Sequence, residues 1–235
     1  MGLNEGGVRT GGLRNLSEIG GIPEGVTNQW PWNEGSGTTL NDAVGGINAT
    51  LNGGTWVSDN GSEGGYHIDF NGSSDNWTTD SAVGLDGAEM TMMQWVNMDT
   101  LSSSNDRVLT YGDSTDDNVI QLVTTGDGFG VYYYRSGGFN DPNMSVGGLS
   151  TGTWYLLAFV GYSNDDADLY VYESDSLAGS ASGSFGRNFL SDDKLTGMSR
   201  RQGDINADGQ ADAPAISNGT AMSQSEIEQY RDSTR

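Results

Sequence analysis

Cysteine is absent from the chain, histidine occurs once (His67) and lysine once (Lys194). Without cysteine there are no disulfides and no thiolate-ligated zinc or iron–sulfur site. One histidine cannot build a histidine-rich metal centre, and no serine motif pairs with it for nucleophilic catalysis. Strand alternation puts His67 with Asp69, opposite Tyr66, Ile68 and Phe70, so it reads as a solvent-facing strand residue. Basic residues number 10 against 32 acidic ones, a formal charge of −22. A duplex-binding protein needs a basic footprint, so nucleic acid is a poor partner. No run approaches the ~20 apolar residues of a membrane span. The opening MGLNEGGVRTGGLRNLSEIGG has no apolar core of the secretory kind. An extracellular protein of this sequence is therefore expected to leave the cell by another route, such as release within an assembled particle.

Acidic charge spread along a chain with almost no lysine fits adaptation to very high salt. There the Debye length (roughly 3 Å at 1 M) screens the self-repulsion. In such a surface an isolated carboxylate says little about function.

What is present is glycine, at 37 positions, and short apolar runs between turn signals. The clearest is TGTWYLLAFVGYSNDDADLYVYE (Thr151–Glu173), two antiparallel strands around an Asn164-Asp165-Asp166 turn. Trp154, Leu156, Ala158 and Val160 share one face; Tyr155, Leu157, Phe159 and Gly161 share the other. Apolar on both faces, this is an inner strand covered on two sides. Further strands are expected at Asn28–Trp32, Ile47–Leu51, Thr55–Val57, Tyr66–Phe70, Trp77–Thr79, Glu89–Met98, Arg107–Tyr111, Val119–Thr124, Gly128–Tyr134 and Ala211–Ile216. Ser223-Gln224-Ser225-Glu226 is a capping-box pattern opening one short C-terminal helix through about Tyr230. The class is all-β. Residues 1–25 lack strand alternation and are less acidic than the body, so two parts are expected. One is a Gly-rich N-terminal arm, either a docking arm or a leader with no role. The other is a β-sandwich over 26–235.

Five segments, in order, resemble the laminin-G-like family of the concanavalin A-like lectin/glucanase superfamily. Trp30–Val57 is similar to its opening strand, EGSG turn and G-x-L-x-G-x-x-W return. Tyr66–Thr78 (YHIDFNGSSDNWT) is similar to L-x-F-D-G-x-x-D-Y-V, and Glu89–Leu101 (EMTMMQWVNMDTL) to F-T-I-x-x-W-V-x-P. The Thr151–Glu173 hairpin resembles W-H-H-V-A-x-V…L-Y-V-N-G, and Asp212–Tyr230 the family's closing D-E-V-R-I-Y-N-R-A-L-S-x-x-E-I. The resemblance implies a jelly-roll sandwich of two antiparallel sheets, commonly used to bind carbohydrate or protein. Glycosidases of this superfamily alternate carboxylates along one strand as E-x-D-x-x-E, because retaining chemistry needs two of them close together. Glu173-Ser174-Asp175 begins that pattern, but its closing position is Ala178. The catalytic set does not carry over, and no enzyme activity is expected.

Gly203–Asp212 has the D-x-N-x-D-G-x-x-D form of a calcium loop, with Asp204, Asn206, Asp208 and Asp212 as candidate ligands. Its twelfth position is Ala215 instead of a bidentate Glu, so a complete EF-hand is excluded. Calcium is the candidate cofactor; the alternative is an acidic turn entering the last strand. Trp95 and Trp154 read as core. Trp56, Trp77, Tyr132 and Tyr134 are the ligand-binding candidates, because flat aromatic faces near loops can stack on sugar rings. Sheet packing is the competing role for each, and Tyr133 must point opposite to its two neighbours.

These features lead to an expected role in binding: a lectin-like module on an external assembly in a hypersaline setting. A homo-oligomeric virion component (fibre, spike, turret or decoration protein) contacting host-surface glycans fits, with the arm contacting other virion subunits. A purely structural coat subunit and a cellular secreted adhesin are the alternatives. If the acidic composition is a salt adaptation, the thermal midpoint should rise steadily from about 0.1 M to 3 M KCl. A midpoint that is flat or falls over that range would refute it.

Overall fold

The computed structural model describes residues 21–58, 65–85, 89–112, 119–135, 138–140, 144–185, 193–199 and 205–234, with the backbone alone at 134, 135 and 138–140. The expected all-β sandwich of two antiparallel jelly-roll sheets is what these residues form. Sheet A runs β15 (Ser176–Ser184), β14 (Asp166–Glu173), β13 (Trp154–Gly161), β7 (Met90–Met98), β17 (Asp208–Asn218), β5 (Tyr66–Asn71), β4 (Thr55–Ser58), and β1 (Asn28–Gln29) also pairs with β17. Sheet B runs β11 (Gly138–Asn140), β10 (Phe129–Arg135), β9 (Val119–Thr124), β8 (Arg107–Tyr111), β16 (Leu195–Gly197), β6 (Asn76–Thr79), β3 (Ala49–Asn52), β2 (Thr39–Leu40), and β12 (Ser145–Val146) pairs with β10. The helix α1 spans Gln224–Ser233.

The main core lies between the sheets. Met92, Val96, Tyr155, Leu157, Phe159, Leu169 and Val171 of sheet A face Leu109, Ile120, Leu122, Val131 and Leu51 of sheet B. Trp30, Trp32 and Trp77 meet here, with ring centroids 5.9 Å apart in both the Trp30–Trp77 and Trp32–Trp77 pairs. Trp77 leaves no room on β16. A Cβ on Gly197 would lie 1.9 Å from the Trp77 indole nitrogen.

Sheet A is also apolar on its far side, as the double-faced pattern of β13 requires. Leu156, Ala158 and Val160 join Met93, Trp95 and Ala215 in a second cluster, closed by Met222, Ile227 and Tyr230 and by Val26. Each such burial is worth ~1.5–3 kcal/mol, so α1 is fixed mainly by this face. Its start is fixed by Ser223, whose hydroxyl accepts from the Glu226 N–H while Glu226 accepts from the Ser223 N–H at 2.7 Å. The Tyr230 hydroxyl donates to the Ala213 carbonyl, at the bulge between Asp212 and Ala215. The result is three layers: sheet B, sheet A, and the helix with residues 21–27.

Two expectations are corrected, and one long strand was not expected. His67 is buried at 7% exposure rather than solvent-facing, because Trp154 lies against it with ring centroids 5.3 Å apart. Trp154 is half-buried beside the second cluster, not in the core between sheets. Strand β15, SLAGSASGS, has no apolar alternation to announce it, and pairs with β14 along its length. The arm expected over 1–25 falls mostly outside the described residues. Its last part is docked: Gln229 Nε2 donates to the Gly21 carbonyl at 2.6 Å, and Ile22 packs on the second cluster.

Gly197→Ala should cost about 1–3 kcal/mol through overpacking against Trp77, read from urea unfolding. An unchanged midpoint would mean that the indole is free to move aside.

Candidate functional site

At one end of sheet A, beyond the reach of the second cluster, the outward face becomes polar. Cross-strand register sets Ser182 beside Asp168, Asp168 beside Val160 and Val160 beside Thr91. One step further out, Asp166 pairs with Ser184, and the chain turns through Ser163-Asn164-Asp165. Asp165 takes φ +69°, a left-handed conformation that Asp tolerates well. Asn164 holds the turn, donating to Asp166 Oδ2 at 2.6 Å and accepting from the Asp166 N–H at 3.2 Å.

These elements line an open groove of about 910 Å³, inside the ~300–1,000 Å³ range of ligand sites. Its floor, formed by Tyr162, Asp168 and Ser182, belongs to a single hydrogen-bonded cluster that Tyr170 joins from outside the lining. Asp168 Oδ2 accepts from Tyr162 at 2.7 Å and Tyr170 at 3.1 Å, and Oδ1 accepts from Ser182 at 2.6 Å. Burial, then the bond to Asp168, pushes the Tyr162 phenol well above its usual range, and burial likewise raises Tyr170. Both phenols therefore stay protonated at neutral pH. Glu89, Asp166 and Asp168 contribute carboxylates to the walls. The arrangement offers a fixed set of oxygen atoms and one tyrosine ring to a polar ligand.

The residues expected from sequence do not converge on one site. Trp77 is fully buried between the sheets, where its ring packs on two other tryptophans; the sheet-packing role holds and the ligand role is corrected. Trp56 is partly buried on the edge strand β4, its indole N–H donating to the Gly37 carbonyl at 2.9 Å and its ring edge-on to Tyr66. Tyr132 lies on the outward face of sheet B, on the other side of the molecule from the groove. Its hydroxyl donates to Asn105 Oδ1 at 3.0 Å, and the Arg107 guanidinium sits 5.8 Å from its ring centre. From Tyr132 a row of directly paired residues crosses the sheet: Gln121, Thr110, Thr196, Thr78, Thr50. The Thr78 and Thr196 hydroxyls are 3.2 Å apart. The side chain of Tyr134 lies outside the described residues.

The calcium loop fares differently. Asp204 lies outside the described residues, and the Asn206 side chain donates to the Ser73 carbonyl. Asp208 and Asp212 belong to one extended strand, which at ~3.3 Å per residue sets their Cα atoms about 13 Å apart. Asp212 is 6% exposed, with Oδ1 accepting from the Ala213 N–H at 2.7 Å. These two carboxylates cannot share a cation with ligand distances of ~2.4 Å. Among the described residues no group of three or more His, Asp or Glu is placed to hold a metal. Glu173 ends β14 and Asp175 follows in the hairpin turn before β15, so this carboxylate pair does not alternate along one strand as the glycosidase pattern requires.

The groove residues had a signal that composition hid. In DADLYVYE, Asp166, Asp168 and Tyr170 share a face, and in SLAGSASGS the serines at 180, 182 and 184 do too. With 32 acidic residues in the chain, two more aspartates carried no weight until the fold set serine and tyrosine hydroxyls against one of them.

No protein-family model matches the chain, and no curated protein sequence does. Solved structures do match. Domain 4 of AbnA, a GH43 extracellular arabinanase from Geobacillus stearothermophilus solved with arabinotriose, superposes with a TM-score of 0.67 at 16% identity, over 89% of this chain and 98% of that one. The likeness is one of fold. A Trypanosoma rangeli sialidase mutant displaying trans-sialidase activity matches over 91% of this chain but 34% of its own, with a TM-score of 0.65 and 14% identity. The receptor-binding domain of botulinum neurotoxin type G gives 0.60 and 14%, over 88% and 51%. The chain thus spans a whole arabinanase domain, a third of the sialidase and half of the toxin domain.

Elsewhere on the outward face of sheet A, Asp69 carries an electrostatic cost. Burial, then Asp99 and Asp208, raise its pKa above the usual carboxylate range. A carboxyl whose folded pKa is raised destabilises the fold once ionised, and the penalty vanishes below its unfolded value of about 3.9. Asp69→Asn should therefore raise the thermal midpoint at pH 7, with the gain fading as pH falls toward 3.5. A variant that is less stable at pH 7 would show that Asp69 makes a compensating contact.

Proposed function

We propose that this sandwich is a non-enzymatic glycan-binding module and that the groove around Tyr162 and Asp168 is its binding site. The observation that carries this reading is the hydroxyl–carboxylate cluster at the floor of an open cavity. Fixed oxygen atoms beside a tyrosine ring are what a sugar needs, since it offers hydroxyls on its rim and C–H groups on its face. The fold neighbours support it, since one was solved with arabinotriose and another is a receptor-binding domain. The departures from the glycosidase pattern at Ala178 and at the Glu173–Asp175 turn favour binding over hydrolysis.

At the finer level, the reading is an adhesion component of an external assembly in a hypersaline setting, most simply a virion protein of a halophile's virus. The composition and the distinct N-terminal stretch support it, with the arm over residues 1–25 as a docking segment and homo-oligomers multiplying weak contacts. Calcium, through Asp204 and ligands outside the described strand, is the cofactor of this reading only if binding proves calcium-dependent. A glycan array probed in about 3 M KCl tests the module: wild-type protein binds a defined glycan class, and Tyr162→Ala abolishes the signal while keeping its far-ultraviolet circular dichroism spectrum. Binding to no glycan would favour a structural subunit. Purified virions carrying the full chain, and losing it when residues 1–20 are deleted, would support the finer reading; absence from virions would remove it.

A further inference from the structure

We infer that the groove selects ligands that donate hydrogen bonds, neutral or amino sugars, and rejects carboxylated ones. This rests on the glycan-binding reading above and specifies what the site accepts.

The argument is an accounting of protons. A hydroxyl has one proton to give and lone pairs to accept with. The hydroxyls of Tyr162, Tyr170 and Ser182 all point their protons at Asp168. What Tyr162 and Ser182, the two of these that line the groove, turn toward a ligand is therefore oxygen lone pairs. Asp166 is engaged in the same way by its own turn, with Asn164 donating to one oxygen. Glu89 adds another acceptor at the far wall. A ligand entering here meets oxygen acceptors and must itself supply the protons. Sugar hydroxyl pairs and ammonium groups do so.

Charge points the same way. The groove is lined by the carboxylates of Glu89, Asp166 and Asp168, and among the described residues lining it there is no Lys, Arg or His. A sialic or uronic acid would bring a fourth carboxylate with no cation among the described lining residues to meet it. Among the described side chains lining the groove, donors remain at Ser163, Ser184 and the Asn164 amide. Salt screens charges beyond a few ångströms (roughly 3 Å at 1 M), but a carboxylate in hydrogen-bond contact with the floor is not separated by solvent. Asp168 is thus a positioning residue: it fixes the Tyr162 and Ser182 hydroxyls as acceptors.

Isothermal titration in 3 M KCl with arabinotriose, a glucosamine trimer and sialyllactose tests this. The wild-type protein should bind at least one of the first two, with sialyllactose at least tenfold weaker. Asp168→Asn keeps the shape, removes a charge and gives the floor protons to donate, so it should weaken the preferred sugar and narrow the gap to sialyllactose about tenfold. Ser182→Ala, an exposed change that should leave folding intact, should weaken the preferred sugar severalfold by removing one acceptor. Sialyllactose bound as tightly as the others by wild type would overturn the selectivity and leave the glycan reading standing. So would neutral-sugar binding indifferent to both variants, which would put the sugar elsewhere. No binding of any of these or of any arrayed glycan would overturn both.

Discussion

The structure depends on one sheet being apolar on both sides. A sandwich needs each sheet to hide one face, and water can take the other. In sheet A the central strands β13, β7 and β17 present Leu157, Phe159, Met92 and Val96 to sheet B and Leu156, Ala158, Met93 and Ala215 away from it. The second face cannot be left in water. It is covered by α1 and by the chain at Ile22 and Val26, and that requirement decides where both ends of the described chain must lie.

The groove is the other half of the same constraint. Where the second cluster stops, so does the need for apolar residues, and the outward positions just past β13 and on β14 and β15 change to Tyr162, Asp168 and Ser182. Tyr170 and Tyr162 sit at the border, partly packed against the cluster and partly engaged with Asp168. The apolar layer thus anchors the tyrosine rings, and the carboxylate fixes their hydroxyls. A ligand meets a surface whose rotamers are already set, which is the condition for binding at low entropic cost.

Much of this was legible in the sequence. The double-faced run Trp154–Gly161 announced an inner strand, and β8 and β9 begin and end where their apolar runs do. The capping box placed α1. What could not be read follows from physical causes. β15 is built of serine, glycine and alanine, which have little strand preference of their own, and it exists because β14 offers it a ladder. His67 looked solvent-facing because alternation assigns a face but not what covers that face. The site was illegible for a related reason. Its members come from the β13–β14 turn, β14, β15 and the residue before β7, and none is distinctive alone in so acidic a chain. Trp77 misled in the opposite direction, since an aromatic near a turn is as good a core residue as a sugar platform.

The contact between Gln229 and the Gly21 carbonyl has an orientational meaning. Residue 21 and the C-terminal helix share the outer side of sheet A, the side that carries the groove, while Tyr132 and the threonine row of sheet B look the opposite way. The described chain therefore both begins and ends on the side of the sandwich that carries the groove.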